Sequence, residues 1–283
     1  MLNLLIKFLG KTLSWRLGRA LYMAARGEGA NDMETNGERL LVERMARHLA
    51  ADGSYGQIMI VDCGANFGDW SAMSRREMAT AGATANYHLM EPSPATFQSI
   101  SKRFSGHGDM TLHPIALSDR DGVADFLMIS PTGGRNSLVD SEHEAAEKIS
   151  VKVARGGDYF AALGVERIAL VKIDTEGHDF AVIEGFSDML ATRRILVIQF
   201  EYNFRWLASN RSMRDVFLLA NRHGYRVGKA DADGIYVYQS WNAENDRFFE
   251  WNYLLISPEI LESLGAREMQ WGVSNTLIDA TRS

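Results

Sequence analysis

Ile58-Met59-Ile60-Val61-Asp62-Cys63-Gly64-Ala65-Asn66-Phe67-Gly68-Asp69-Trp70-Ser71 decides the fold of this 283-residue chain. Its first four residues form the unbroken apolar run of a parallel strand covered on both faces. Asp62 to Gly68 then makes the turn at the strand's carboxyl end, and Trp70 to Thr80 starts a helix whose first N–H groups face a ligand in that turn. Gly64 and Gly68 carry no Cβ, so the backbone can bend sharply and a ligand can lie directly against it. A dinucleotide turn would read G-x-G-x-x-G. This one reads G-A-N-F-G, with an acid two positions before the first glycine, and suits a cationic sulfonium amino acid better than NAD. Alone it is also compatible with a plain strand-to-helix connection.

Asn86 to Met90 reads as a second strand, followed by Glu91-Pro92 and a helix from Pro94 to Phe104. Pro92 disfavours helix at Glu91, and Pro94 fits a helix's first turn. A carboxylate ending the second strand of a Rossmann-like sheet is placed to accept hydrogen bonds from both ribose hydroxyls of an adenosine. The competing reading of Glu91 is a solvated loop acid. Downstream, strands are expected near Met110 to Ile115, at Ile168 to Ile173 and at Ile195 to Phe200, with an inserted β-rich segment near Val123 to Val153. Helices are expected at His178 to Phe186 and Ser212 to His223, and strands near Tyr225 to Val227, Ile235 to Tyr238 and Tyr253 to Ile256. This alternation predicts a mostly parallel sheet with helices on both faces.

The ordered set V-D-C-G-A-N-F-G-D-W-S, E-P, I-A-L-S-D-R-D-G, G-R-N-S-L, V-K-I-D-T-E-G-H-D and V-I-Q-F-E-Y-N resembles the FkbM-type family of S-adenosylmethionine-dependent methyltransferases, over roughly Asn31 to Ser257. The resemblance implies a class I methyltransferase, Rossmann-like fold: a mostly parallel seven-stranded sheet, helices on both faces and an N-terminal helical extension. It implies S-adenosyl-L-methionine as cofactor and usually O-methylation of a sugar, glycan or secondary-metabolite hydroxyl, without fixing the acceptor. Asp62, Gly64, Asn66 and Gly68 are assigned to the methionine side of the cofactor and Glu91 to its ribose. Asp119 is placed near the adenine amino group, with a β-turn role in S-D-R-D-G as its alternative.

Methyl transfer from a sulfonium is an in-line displacement, so holding the two reactants in place supplies much of the acceleration, up to about 7 to 11 kcal/mol. A hydroxyl acceptor must also lose its proton, which a nearby carboxylate or imidazole can take. Asp174 is the first choice for that base, with Glu176 and His178 as competitors. Capping of the following helix is the structural alternative for Glu176 and His178, and Lys172 is expected to pair with a neighbouring acid. Asp174, Glu176 and Glu201 offer hard oxygen ligands for Mg²⁺, but their spacing is no dedicated metal motif and a metal is not favoured. Arg135 and Asn136, in Gly134 to Leu138, are candidates for a lid over the acceptor. Glu201 and Asn203 are further acceptor-side candidates, and Trp206 fits either an acceptor wall or the core.

With 46% hydrophobic and 23% charged residues the composition is ordinary for a globular protein. The net charge of −6 and the lack of a Lys/Arg cluster argue against a nucleic-acid partner. Cys63 is the one cysteine, which excludes an intrachain disulfide and fits a reducing cytosol. Residues 1–30 read as a basic amphipathic helical extension, 31–260 as the catalytic domain and 261–283 as a tail, mobile after Glu268. The extension has no uncharged span long enough to cross a bilayer. It suits either an apolar patch of the domain or a partner helix, the favoured expectation, or the surface of an anionic membrane. The location expected is cytoplasmic, with peripheral attachment to the inner membrane surface as the variant. The oligomeric state is left open. Two other readings compete: a non-catalytic Rossmann-like nucleoside-binding protein, and a nicotinamide oxidoreductase, which G-A-N-F-G disfavours.

Overall fold

The structure, a computed structural model, describes residues 2–28, 32–53, 56–129, 136–139 and 147–280. In chain order come α1 (Leu2–Leu9), α2 (Lys11–Ala25), α3 (Glu38–Ala51), β1 (Ile58–Cys63), α4 (Asp69–Thr80), β2 (Ala85–Met90), α5 (Pro94–Arg103), β3 (Met110–His113) and β4 (Ala116–Ser118). There follow β5 (Gly122–Met128), β6 (Glu147–Arg155), α6 (Gly156–Ala162), β7 (Ile168–Ile173), α7 (Asp179–Gly185), α8 (Ser187–Ala191), β8 (Ile195–Tyr202) and α9 (Met213–His223). The chain closes with β9 (Arg226–Asp231), β10 (Gly234–Tyr238), β11 (Trp251–Ile256), β12 (Arg267–Trp271) and β13 (Leu277–Asp279).

β1, β7 and β8 are buried at every position, because helices cover both faces and leave no solvent side for polar residues to occupy. Leu41, Met45, Met78 and Ile100 of α3, α4 and α5 belong to one apolar cluster. Phe180, Ile183, Met189 and Val216 of α7, α8 and α9 belong to the other. The main sheet runs β13-β12-β10-β9-β11-β8-β7-β1-β2-β3. β3, β2, β1, β7 and β8 are mutually parallel, and β11 lies antiparallel between β8 and β9. The order reverses between β1 and β7, which opens a crevice at the carboxyl ends of those strands, the usual ligand position in open α/β sheets.

The structure departs from expectation in the sheet and in the extension, and it gives the expected β-rich insertion its form. The sheet has ten strands and is mixed, instead of seven and mostly parallel: β11 lies antiparallel to β8 and β9, and β10, β12 and β13 extend the sheet past β9. Two of those strands come from the expected tail beyond residue 260; Arg267–Trp271 is only partly buried, so its sequence lacks the apolar run that would mark it. The inserted segment forms a sheet of its own, β4-β6-β5, around Ala116, Phe126, Val151 and Val153. Finally, α2 covers no apolar patch, since none of its residues is buried. Among the described residues no helix is long and apolar enough to cross a membrane.

Candidate active site

The crevice holds a cleft of about 580 Å³ including its mouth, lined by Gly64, Asn66, Glu91, Asn136, Asp174, Glu176 and His178 together with apolar neighbours. Its β1 wall is main chain. The N–H groups of Gly64 and Ala65 both donate to the Met90 carbonyl at 3.0 Å, and Asp174 N–H donates to the Cys63 carbonyl at 3.0 Å. Gly64 has φ +80°, and a Cβ there would collide with the Asp174 carbonyl oxygen. Both facts require glycine. Asn66 sits at φ 48°, and its N–H donates to Glu91 Oε2 at 2.9 Å. Ser93 N–H donates to Glu91 Oε1 at 2.9 Å. Burial pushes the Glu91 carboxyl up to about 7, although these two donors favour its charged form. A carboxylate offers about four acceptor positions, so two remain toward the cleft.

At the β7 end, Asp174 is part-exposed and its Oδ2 accepts from Lys172 Nζ at 3.1 Å. Burial alone would discharge the Lys172 ammonium; Asp174, Asp62 and Glu38 outweigh it and keep it charged. Burial, then repulsion from Asp174, pushes Glu176 up to about 8 against the attraction of Arg205, which pairs with it at 2.8 Å. Burial lowers His178 to about 4, so the imidazole is neutral, and its Nε2 shares a 3.0 Å hydrogen bond with Ser118 Oγ. Asp179 is fully buried and accepts from Gly177 N–H at 3.1 Å and Thr175 N–H at 3.4 Å, which closes the turn before α7. Burial and Asp174 push it up to about 7.

Other expected site residues stand outside the cleft. Asp62 is buried and accepts from Ser71 Oγ at 2.6 Å, with Lys172 Nζ at 3.9 Å. It braces the turn from beneath. Gly68 makes room for the Phe104 ring. Asp119 points outward, paired with Arg120 at 3.0 Å and bonded by Ser118 Oγ at 3.0 Å. Glu201 accepts from Asn203 Nδ2 at 2.7 Å, and Asn203 Oδ1 accepts from Arg205 N–H at 2.9 Å. Burial and the surrounding acids push Glu201 well above the carboxylate range. Trp206 is core, fully buried, its Nε1 donating to the Glu201 carbonyl at 3.0 Å. Arg135 lies outside the described residues. The three acids considered for Mg²⁺ are engaged with Lys172, Arg205 and Asn203 respectively. Among the described residues no group of three His, Cys, Asp or Glu is arranged to hold a metal.

Sequence reasoning set Gly134 to Leu138 over the acceptor but did not find β4 and β5 as a wall, where Ala116, Leu117 and Phe126 line the cleft. Leu138 lines it too, and Ser137 Oγ lies 3.1 Å from the Thr175 carbonyl and 2.9 Å from that of Glu176, pinning the insertion to the β7–α7 turn. The only local signal was the polar G-R-N-S-L run, which says nothing of its partner 38 residues away. The Asn136 side chain accepts from Ile129 N–H at 2.8 Å, which shapes the same segment.

Sheet order, switch point and cleft together define a class I methyltransferase-like α/β protein. The family model of the methyltransferase FkbM domain matches residues 62–227, and the chain belongs to that family. It is 25% identical over 149 residues to Methyltransferase 1 of Beauveria bassiana, covering 46% of this chain and 58% of that protein. The chain thus spans little more than half the length of this curated relative. Among solved structures it is similar to the FkbM methyltransferase of Methylobacillus flagellatus, with 13% identity, TM-score 0.43 and coverage of 71% of this chain and 43% of that one. A SAM-dependent methyltransferase of Aquifex aeolicus is similar at 7% identity and TM-score 0.36, over 76% of this chain and 92% of that one.

Proposed function

We propose that the protein is an S-adenosylmethionine-dependent methyltransferase that O-methylates a hydroxyl of a saccharide, glycan or secondary metabolite. One observation carries the reading: a single cleft places a backbone-oriented carboxylate, Glu91, at one end and a part-exposed carboxylate held by Lys172, Asp174, at the other. The residues present fit the cofactor. Glu91 has acceptor capacity left for the two ribose hydroxyls, the backbone at Gly64 and Asn66 admits the methionyl part, and Ala116 and Leu117 give an apolar wall for the adenine. When bound, the cofactor supplies an electrophilic methyl group.

The chain's own work is to place the acceptor oxygen and take its proton. Asp174 suits that role best: it lines the cleft, and Lys172 holds it without enclosing it. Glu176, at about 8, is mostly protonated at neutral pH and paired with Arg205, so it donates more readily than it accepts. His178 is neutral but has one ring nitrogen committed to Ser118. Positioning of this kind, together with one proton acceptor, covers what an O-methyl transfer asks of a protein.

Calorimetric titration with S-adenosylmethionine, S-adenosylhomocysteine and NAD tests the cofactor half. The first two should bind saturably and NAD should not, and Glu91→Ala should weaken binding about tenfold or more. An acceptor screen beginning with glycans tests the second half. Cofactor binding with no transfer to any hydroxylated acceptor would favour a non-catalytic nucleoside-binding protein.

A further inference from the structure

α2 does not join the domain as helices of globular proteins do. Such a helix turns its apolar stripe toward the core, yet α2 has no buried residue. Leu13, Leu17 and Leu21 recur every four residues and so share a face. They are 44%, 45% and 71% exposed, while Phe8 and Trp15 are 88% and 77% exposed. Single exposed leucines are ordinary; a run of large apolar side chains along one element marks an interaction surface. Among the described residues the domain holds this extension near its end. Tyr22 donates to Glu244, Arg19 lies 5.6 Å over the Phe249 ring, and Arg26 donates to the Glu244 carbonyl at 2.9 Å. Lys7, Lys11 and Arg16 form no ion pair among the described residues.

Charge identifies the occupant. The first 27 residues hold five Lys and Arg and no acid, whereas the whole chain carries −6, so everything after them carries −11. A second copy pairing through the same face would set one basic extension against another. A surface of anionic phospholipid accepts both features at once, with the leucines at the acyl boundary and Lys and Arg among the headgroups. No described helix is able to cross the bilayer, so the seat is in the plane of its surface.

We propose that α1 and α2 dock the protein on a bilayer rich in anionic phospholipid. The short turn Ala243–Asp246 links this surface to the site edge: Glu244 binds Tyr22, and Asp246 Oδ1 accepts from the hydroxyl of Tyr202, at the end of β8, at 2.8 Å. These contacts tie the docked extension to the carboxyl end of β8. The inference stands independently of the reaction proposed above.

Co-sedimentation of the full chain with phosphatidylcholine vesicles, with and without phosphatidylglycerol, tests it. Binding should be at least about tenfold tighter to the anionic vesicles and should weaken at high salt. Replacing Leu17→Glu with Leu21→Glu should abolish it, and Lys11→Glu with Arg16→Glu should weaken it about tenfold or more. All four side chains are exposed, so unfolding midpoints by circular dichroism should stay at the wild-type value. No binding to anionic vesicles, equal binding to neutral ones, or unchanged binding by the leucine variant would each overturn the proposal. So would loss of self-association in that variant without loss of vesicle binding, which would mark an interface between copies.

Discussion

The two ends of the cleft are built by different means. On the β1–β2 side the wall is backbone: Gly64 and Ala65 N–H on the Met90 carbonyl, and Glu91 oriented by the N–H groups of Asn66 and Ser93. On the β7–β8 side the wall is a balance of charges, in which Lys172 holds Asp174, Arg205 holds Glu176, and Asp179 and Glu201 are pushed toward neutrality by burial and then by neighbouring acids. Main-chain geometry tolerates few substitutions. A balance of charges can be retuned one side chain at a time. Under the function proposed above, the first arrangement suits the cofactor and the second the acceptor.

The sharpest way to break this division is Asp174→Asn. Turnover should fall about 10²- to 10⁴-fold, while cofactor affinity by calorimetry should move by no more than about threefold. Parallel losses in both would assign Asp174 to the cofactor half, and undiminished turnover would remove it as the base.

Gly64→Ala probes the other half against an internal control. Gly64 and Gly82 have almost the same φ, +80° and +79°, but a Cβ at Gly82 meets nothing within 4 Å. Gly82→Ala should cost about 1 to 2 kcal/mol from backbone strain alone. Gly64→Ala should cost about 1 to 3 kcal/mol more from the clash with Asp174. Urea unfolding measures both, and equal losses would mean that the close approach of the two turns is not structurally required.

The smallest effect separates ligand binding from stability by its sign. Glu91 titrates near 7 in the folded chain and at its ordinary 4.5 when unfolded. The folded state therefore holds the proton more tightly, and this contribution to stability, complete below about pH 4.5, is lost as pH rises through 7. Cofactor binding by the ionised carboxylate should run the other way, gaining about tenfold from pH 6 to pH 8. Glu91→Gln should flatten both profiles. A wild-type affinity that falls with pH over that range would show that Glu91 does not accept the ribose hydroxyls as a carboxylate.

The same division explains what was legible in the sequence. Ile58 to Gly68 and Met90 to Pro94 carry their geometry in consecutive residues, and the structure places Gly64, Asn66 and Glu91 together in the cleft. The strand at Ile168–Ile173 ends just before Asp174, as its apolar run predicts. Glu201, Asn203 and Asp119 were harder to place, because an acid after a strand is equally suited to a pocket or a cap. Nothing local tells Glu201 that Asn203 will satisfy it, or Asp119 that it will face Arg120 and solvent. β12 and β13 carry no such signal because strands at or next to a sheet edge, when only partly buried, need no apolar run.

The sequence by itself determined the alternation of strands and helices, the turn at Gly64 and the carboxylate after β2. Apolar periodicity, glycine and proline act over a few residues and need no distant partner. Tertiary structure alone decided which acids face the cleft, which are protonated, and that the insertion folds down through Ser137 onto the β7–α7 turn. It also decided that the apolar stripe of α2 stays exposed. Burial, electrostatic coupling and docking depend on groups tens to hundreds of residues apart, and their distances are set only when the sheet has assembled.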